Sequence, residues 1–167
     1  MKIIYIYFFS FCFCLNLSLH DYDNPSASHI LDAHVMDDLL IVVGMVGGIE
    51  VYDISNPQVL NHLANFNLPN NGGGGQGNSR PNCVSNKGNI TYFTAKNGVA
   101  MVDLANPSNP ENLGYISGTS NLDLENLDVY ENYLIICAHT DGVLFYDILN
   151  SDSPELLFHL ESENAWT

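Results

Sequence analysis

The sequence predicts an all-β fold: a β-propeller built of four-stranded antiparallel blades, of which about three are present. Three observations lead there. A seven-residue pattern recurs as GIEVYDI from Gly48 to Ile54, GVAMVDL from Gly98 to Leu104 and GVLFYDI from Gly142 to Ile148. Its aspartates, Asp53, Asp103 and Asp147, stand 50 and 44 residues apart, a period that suits one four-stranded blade per repeat. Both faces of each pattern are largely apolar, as a strand needs when its sheet is sandwiched between neighbouring sheets.

The chain opens differently. Lys2 precedes an apolar run from Ile3 to Leu15 and then the mixed stretch Asn16-Leu-Ser-Leu-His20, the form of a secretory leader. The run is shorter than the roughly 20 residues of a comfortable membrane span, although an uncleaved anchor stays open as the alternative. Residues 1–19 are the leader, and the small-x-small run Ser26-Ala27-Ser28 extends its limit to residue 28 if cleavage falls there. The expected location is secreted, periplasmic or cell-surface, with no stable membrane insertion after leader removal. Cys83 and Cys137 then meet a compartment that permits disulfides, and both a bridge and two small thiols are compatible with their spacing.

Blade repeats follow at residues 30–66, 83–118 and 119–160. Ahead of each signature lies an apolar strand: Leu39 to Val43, Ile90 to Ala95 and Tyr133 to Ala138. These are short, rich in β-branched and aromatic residues, and bounded by Gly, Asn and Pro. Val35, Val84 and Val129 precede them, each eighteen or nineteen residues ahead of its aspartate. Pro57, Pro107 and Pro154 end the signature strands and start turns. Between the first two blades, residues 67–82 form a Gly/Asn-rich insertion loop, and residues 161–167 are the expected start of a further blade. Residues 72–79, GGGGQGNS, fall short of a phosphate-binding loop because Asn78 stands where a lysine is needed.

IEVYD, VAMVD and VLFYD, followed by SNP and ANP, resemble the five-residue signature of the LVIVD-repeat family across roughly residues 30 to 160. The resemblance implies a propeller of secreted or cell-surface proteins with no common enzymatic activity. This chain has three units, and the third replaces Asn-Pro with the stretch Leu149 to Pro154. Propellers close with roughly four to eight blades, so a truncated product or a partner chain at the open end is expected. Val143, Leu144, Phe145, Tyr146 and Ile148 are the expected exposed set, and self-association the expected result.

Composition narrows the partners. Nineteen acidic against four basic residues give a formal charge of -15, which repels nucleic acid and anionic lipid. Asp53, Asp103 and Asp147 are the metal candidates, since a rotational repeat can place three carboxylates around Ca2+. The competing reading is an Asx turn at each strand end. His34, Cys83 and Asp128 occupy a second repeat position with ligand-capable side chains, and Asn89-Ile-Thr91 is a glycosylation sequon. No G-x-S-x-G turn or singled-out carboxylate pair assembles a catalytic centre, and no cofactor motif is present. The expected function is a non-enzymatic scaffold for a protein or glycan ligand. The alternative is a propeller enzyme or calcium-dependent module completed by further blades. The repeat signature residues are Gly48, Asp53, Pro57, Gly98, Asp103, Pro107, Gly142, Asp147 and Pro154.

Overall fold

The computed structural model describes residues 28–56, 58–69 and 80–162. Residues 1–27, which hold the expected leader, Pro57, residues 70–79 with the glycine run, and residues 163–167, the expected start of a further blade, lie outside the described residues. Blade 1 comprises β1 (Ser28–Met36), β2 (Leu39–Val46), β3 (Gly48–Asp53) and β4 (Asn61–Phe66). Blade 2 comprises β5 (Val84–Lys87), β6 (Ile90–Ala95), β7 (Gly98–Asp103) and β8 (Glu111–Tyr115). Blade 3 comprises β9 (Asn126–Tyr130), β10 (Tyr133–Ala138), β11 (Gly142–Asp147) and β12 (Glu155–Leu160). Each blade is one antiparallel sheet with its strands in chain order, and one short 3-10 turn, His139–Asp141, is the helical content of the described residues. The three sheets are propeller blades that stack without closing a ring.

Local sequence explains the repeated geometry. Two-residue turns join the first two strands of each blade, and their first residues, Asp37, Gly88 and Glu131, have φ of 52°, 55° and 53°. The glycine that opens each signature also has positive φ, 92° at Gly48, 120° at Gly98 and 92° at Gly142. A Cβ there would collide with Phe66 O, Thr119 Oγ1 or Leu160 O respectively, so both conformation and space require glycine. Each third strand meets the fourth across a register shift at the same repeat position: Val51/Tyr52, Met101/Val102 and Phe145/Tyr146. Such shifts add local twist to the outer edge of a sheet.

Strand alternation divides every blade into two apolar faces. Ile41, Val43, Ile49 and Val51 of blade 1 pack on Phe93, Ala100 and Val102 of blade 2. The opposite face of blade 2, with Tyr92, Val99 and Met101, packs on Leu134, Ile136, Leu144 and Tyr146 of blade 3. Thus the hydrophobic core lies between sheets rather than within one. The expected exposed set divides accordingly: Leu144, Tyr146 and Ile148 are buried against blade 2, while Val143 and Phe145 are half-buried on the far side.

The hairpin registers correct one repeat alignment. Met36, Lys87 and Tyr130 immediately precede the three hairpin turns, so the position before Val35 and Val129 belongs in blade 2 to Ser85. Cys83 instead corresponds to Asp32 and Asn126. A β6–β7 turn one residue shorter than its counterparts accounts for one of these two positions, and the choice of Val84, nineteen rather than eighteen residues ahead of its aspartate, adds the other.

Alanine at Gly142 is expected to destabilise the protein by at least about 2 kcal/mol, from left-handed backbone strain plus collision with a carbonyl. Alanine at Gly88, where nothing lies within 4 Å of the added carbon, should cost about 1 kcal/mol. Urea unfolding of the two variants measures the difference.

Candidate functional site

The leading strands β1, β5 and β9 lie side by side, and polar side chains link them. Asp32 Oδ2 accepts the Val84 amide at 3.0 Å, and His34 Nε2 is hydrogen-bonded to Asn86 Oδ1 at 2.7 Å. On the other side of β5, Cys83 Sγ donates to Asn126 Oδ1 at 2.7 Å and Ser85 Oγ to Asp128 Oδ1 at 3.3 Å. Lys87 Nζ reaches Asn132 Oδ1 at 2.8 Å and also the Ile148 carbonyl. Tyr146 contributes a further tie, donating to Ser117 O at 2.9 Å. Charged and polar groups on these strands therefore serve blade-to-blade registration.

A cleft opens where the leading strands begin. It encloses about 640 Å3 and is lined by Arg80 and Asn82 on the approach to β5, Lys96 in the β6–β7 turn, and residues 121–125 on the approach to β9. Leu31 of β1, Met45 of β2 and Leu124 supply apolar wall. Arg80 and Lys96 line this space together with Asp123 and Glu125. Half of the chain's four basic residues thus stand in one cleft of a protein with formal charge -15. Asn82 Nδ2 donates to Glu125 O at 2.9 Å, which joins the two lining segments. The sequence did carry a signal, because Arg80, Lys87 and Lys96 fall in one short stretch. Folding separates Lys87 from the other two and brings the distant segment 121–125 into the same cleft as them.

The repeat aspartates have a different task. Asp53 Oδ1 accepts the Ser55 amide at 2.8 Å, Asp103 Oδ1 the Ala105 amide at 2.7 Å and Asp147 Oδ1 the Leu149 amide at 2.7 Å. Each is an Asx turn at the end of its own blade's third strand. Hydrogen bonds from Ser55, side chain first and backbone second, hold the Asp53 carboxyl below its ordinary range. Because that pKa is depressed in the folded state, its contribution is present above the unfolded value and fades as pH falls through the folded one. Among the described residues no group of three or more His, Cys, Asp or Glu side chains is placed to hold a metal ion. His34 and Asp128 lie on opposite sides of Ser85's strand and bond to different partners. Pro107 and Pro154 stand in the turns after their signature strands.

Both described cysteines are free thiols. Burial pushes Cys83 up to about 11, whereas Cys137 is exposed. Asn89 of the sequon is exposed in the β5–β6 turn.

No family model matches the chain, and no curated protein matches it. Among solved structures it is similar to the computationally designed Ika4 protein, with TM-score 0.61 and 17% identity over 90% of this chain and 83% of that one. It is also similar to the computationally designed Ika8 protein, with TM-score 0.59 and 16% identity over 81% of this chain. The N-terminal domain of Nup159 follows with TM-score 0.50 and 13% identity over 80% of this chain. The chain spans 37% of Ika8 and 31% of the Nup159 chain. At these identities the likeness concerns the fold alone, and it agrees with blade-type architecture.

Iodoacetamide at pH 8 is expected to label Cys137 readily and Cys83 at least tenfold more slowly, since the thiolate is the reacting form. Peptide mass spectrometry over time reads both sites. Asp147→Ala should lower stability by about 1 kcal/mol through loss of one hydrogen bond, equally with and without millimolar calcium. A loss seen only with calcium would favour a metal ring over the Asx turn.

Proposed function

We propose that the protein is an exported, non-enzymatic propeller scaffold of the LVIVD-repeat type, and that it binds its ligand in the cleft at the start of the leading strands. The carrying observation is the placement of Arg80 and Lys96 together, beside apolar wall, in a chain otherwise dominated by acid. A negative molecule is repelled by most of this surface, and this cleft is where a carboxylate finds two cations. Asp123 and Glu125, which line the same cleft, favour a ligand that also presents donors. The ligand class is a short carboxylate-bearing peptide or an acidic glycan, seated with an apolar portion against Leu31, Met45 and Leu124.

Three linked blades supply a rigid frame for such a cleft, because residues from different blades keep their spacing through the ties between β1, β5 and β9. Export rests on Lys2, the apolar run and the polar residues that follow. Mass spectrometry of protein from its source should find the leader absent and the material outside the cytoplasm; soluble cytoplasmic protein retaining Met1 would overturn export.

Calorimetric titration with glutamate-rich peptides and uronic-acid oligosaccharides tests the cleft. The double variant Arg80→Ala/Lys96→Ala should weaken binding at least tenfold, or about 1.4 kcal/mol, with an unfolding midpoint close to that of the parent. Lys87→Ala should instead lower stability, because that ammonium ties blade 2 to blade 3. Unchanged binding in the double variant, or no binding of either ligand class, overturns this assignment.

A further inference from the structure

Neither the cleft nor the packing of the blades makes use of the motif Asn89-Ile-Thr91. Of the asparagines after residue 28, Asn89 alone stands two places before a Ser or Thr with a residue other than proline between, because Pro107 interrupts Asn106-Pro-Ser108. Asn89 is the second residue of the β5–β6 turn, the place that Asp38 and Asn132 hold in the other blades. In all three blades the backbone carbonyl there accepts the amide that follows the signature aspartate, from Ile54, Leu104 and Ile148 at 2.8, 2.9 and 2.8 Å. Asn86 Nδ2 also donates to Gly88 O at 2.8 Å. The turn is thus held without help from the Asn89 side chain.

Side chains at this place differ in what engages them. Asn132 Oδ1 accepts Lys87 Nζ from the preceding blade at 2.8 Å. The residue of blade 1 that matches Lys87 is Met36, which is buried and has no donor. Asn89 is exposed, and among the described residues no hydrogen bond engages its amide. Thr91 has the opposite setting. It pairs with Asn86 on one side and Val102 on the other, is 0% exposed, and its Oγ1 lies 4.0 Å from Met36 Sδ.

We propose that Asn89 carries an N-linked glycan attached before blade 2 closes, a modification that rests on the export proposed above. The donor class is an oligosaccharide held as a polyisoprenyl diphosphate. Asn89 Nδ2 attacks the anomeric carbon of the sugar. A C–N bond forms there as the bond to the diphosphate oxygen breaks, the diphosphate leaves with the electron pair, and one amide proton passes to a base of the transferase. Recognition requires the Thr91 hydroxyl as well as the Asn89 amide. In the folded blade that hydroxyl is inside, so the motif is legible only while segment 89–91 is unpaired. Folding then buries Thr91 and leaves the sugar-bearing amide in solvent, at no cost in packing. The glycan stands at the turn end of β5, about 20 Å from Asn82 at the cleft end by the rise of roughly 3.3 Å per residue. It therefore leaves the cleft open.

Translation of the full chain beside microsomal membranes tests the proposal, with protease protection reading import and glycosidase digestion reading the sugar. Asn16→Gln is included throughout, because Asn16-Leu-Ser18 in the leader is a second sequon. The imported chain should show a glycosidase-sensitive mass shift that Asn89→Gln and Thr91→Val abolish and Thr91→Ser retains. Gel mobility reads transfer rather than folding, so a variant that does not fold still reports. Import without a shift, or a shift that survives Asn89→Gln, overturns the proposal and leaves export standing, whereas failure to import overturns both. The completed, folded chain presented to detergent-opened membranes should gain no shift, and modification there overturns attachment before folding. In protein from its source, glycosidase treatment in heavy-oxygen water should convert Asn89 to a labelled aspartate. An unmodified Asn89 in leader-free protein overturns the assignment.

Discussion

Sheet-on-sheet stacking between consecutive blades is the constraint on which the rest of this structure depends. A four-stranded sheet that is apolar on both faces has no stable existence in water, since each exposed face forfeits about 25 cal/mol per Å2. Each signature strand here carries such residues on both sides, so the chain is stable only as a stack. Blade 2 meets the condition fully: Phe93 and Val102 are buried on one side and Tyr92 and Val99 on the other. Blades 1 and 3 each pack one side on blade 2, and on the other side of blade 1 Tyr52 and Glu50 are buried as well.

Directional stacking also dictates where polar chemistry can sit. With both broad faces given to packing, polar side chains gather on the leading strands and at the sheet ends. Those on β1, β5 and β9 bond across to the neighbouring blade and keep the blades in register. Asp53, Asp103 and Asp147, at the ends of third strands, hold the turns that return the chain to the outer strand. The gap where the leading strands begin is lined by both basic and acidic side chains, and the proposed ligand cleft lies there.

Repetition made the architecture legible. The signature glycine, the aspartate and the short apolar strand before them recur in register, and the observed strands Ile90–Ala95 and Tyr133–Ala138 coincide with the runs read from composition. The same repetition misled at the leading strand of blade 2. A turn shorter by one residue is invisible when positions are counted from the aspartate, and together with the choice of Val84 as the matching valine it moved Cys83 into a row that belongs to Ser85. The exposed set was half right for a related reason: alternation assigns residues to two faces, but it does not say which face a neighbour covers.

By itself the sequence determined the class of fold and the three repeats in this stretch, and it offered the Asx turn beside a metal ring as a reading of each aspartate, because strand period, glycine conformation and Asx turns depend on near neighbours along the chain. Only the tertiary structure decided that Leu144 and Tyr146 are buried while Phe145 faces outward, and that Arg80 and Lys96 share a cleft with Asp123 and Glu125. Both results depend on how one sheet is placed against the next. That placement comes from the summed packing of side chains far apart in sequence, and no short motif encodes it.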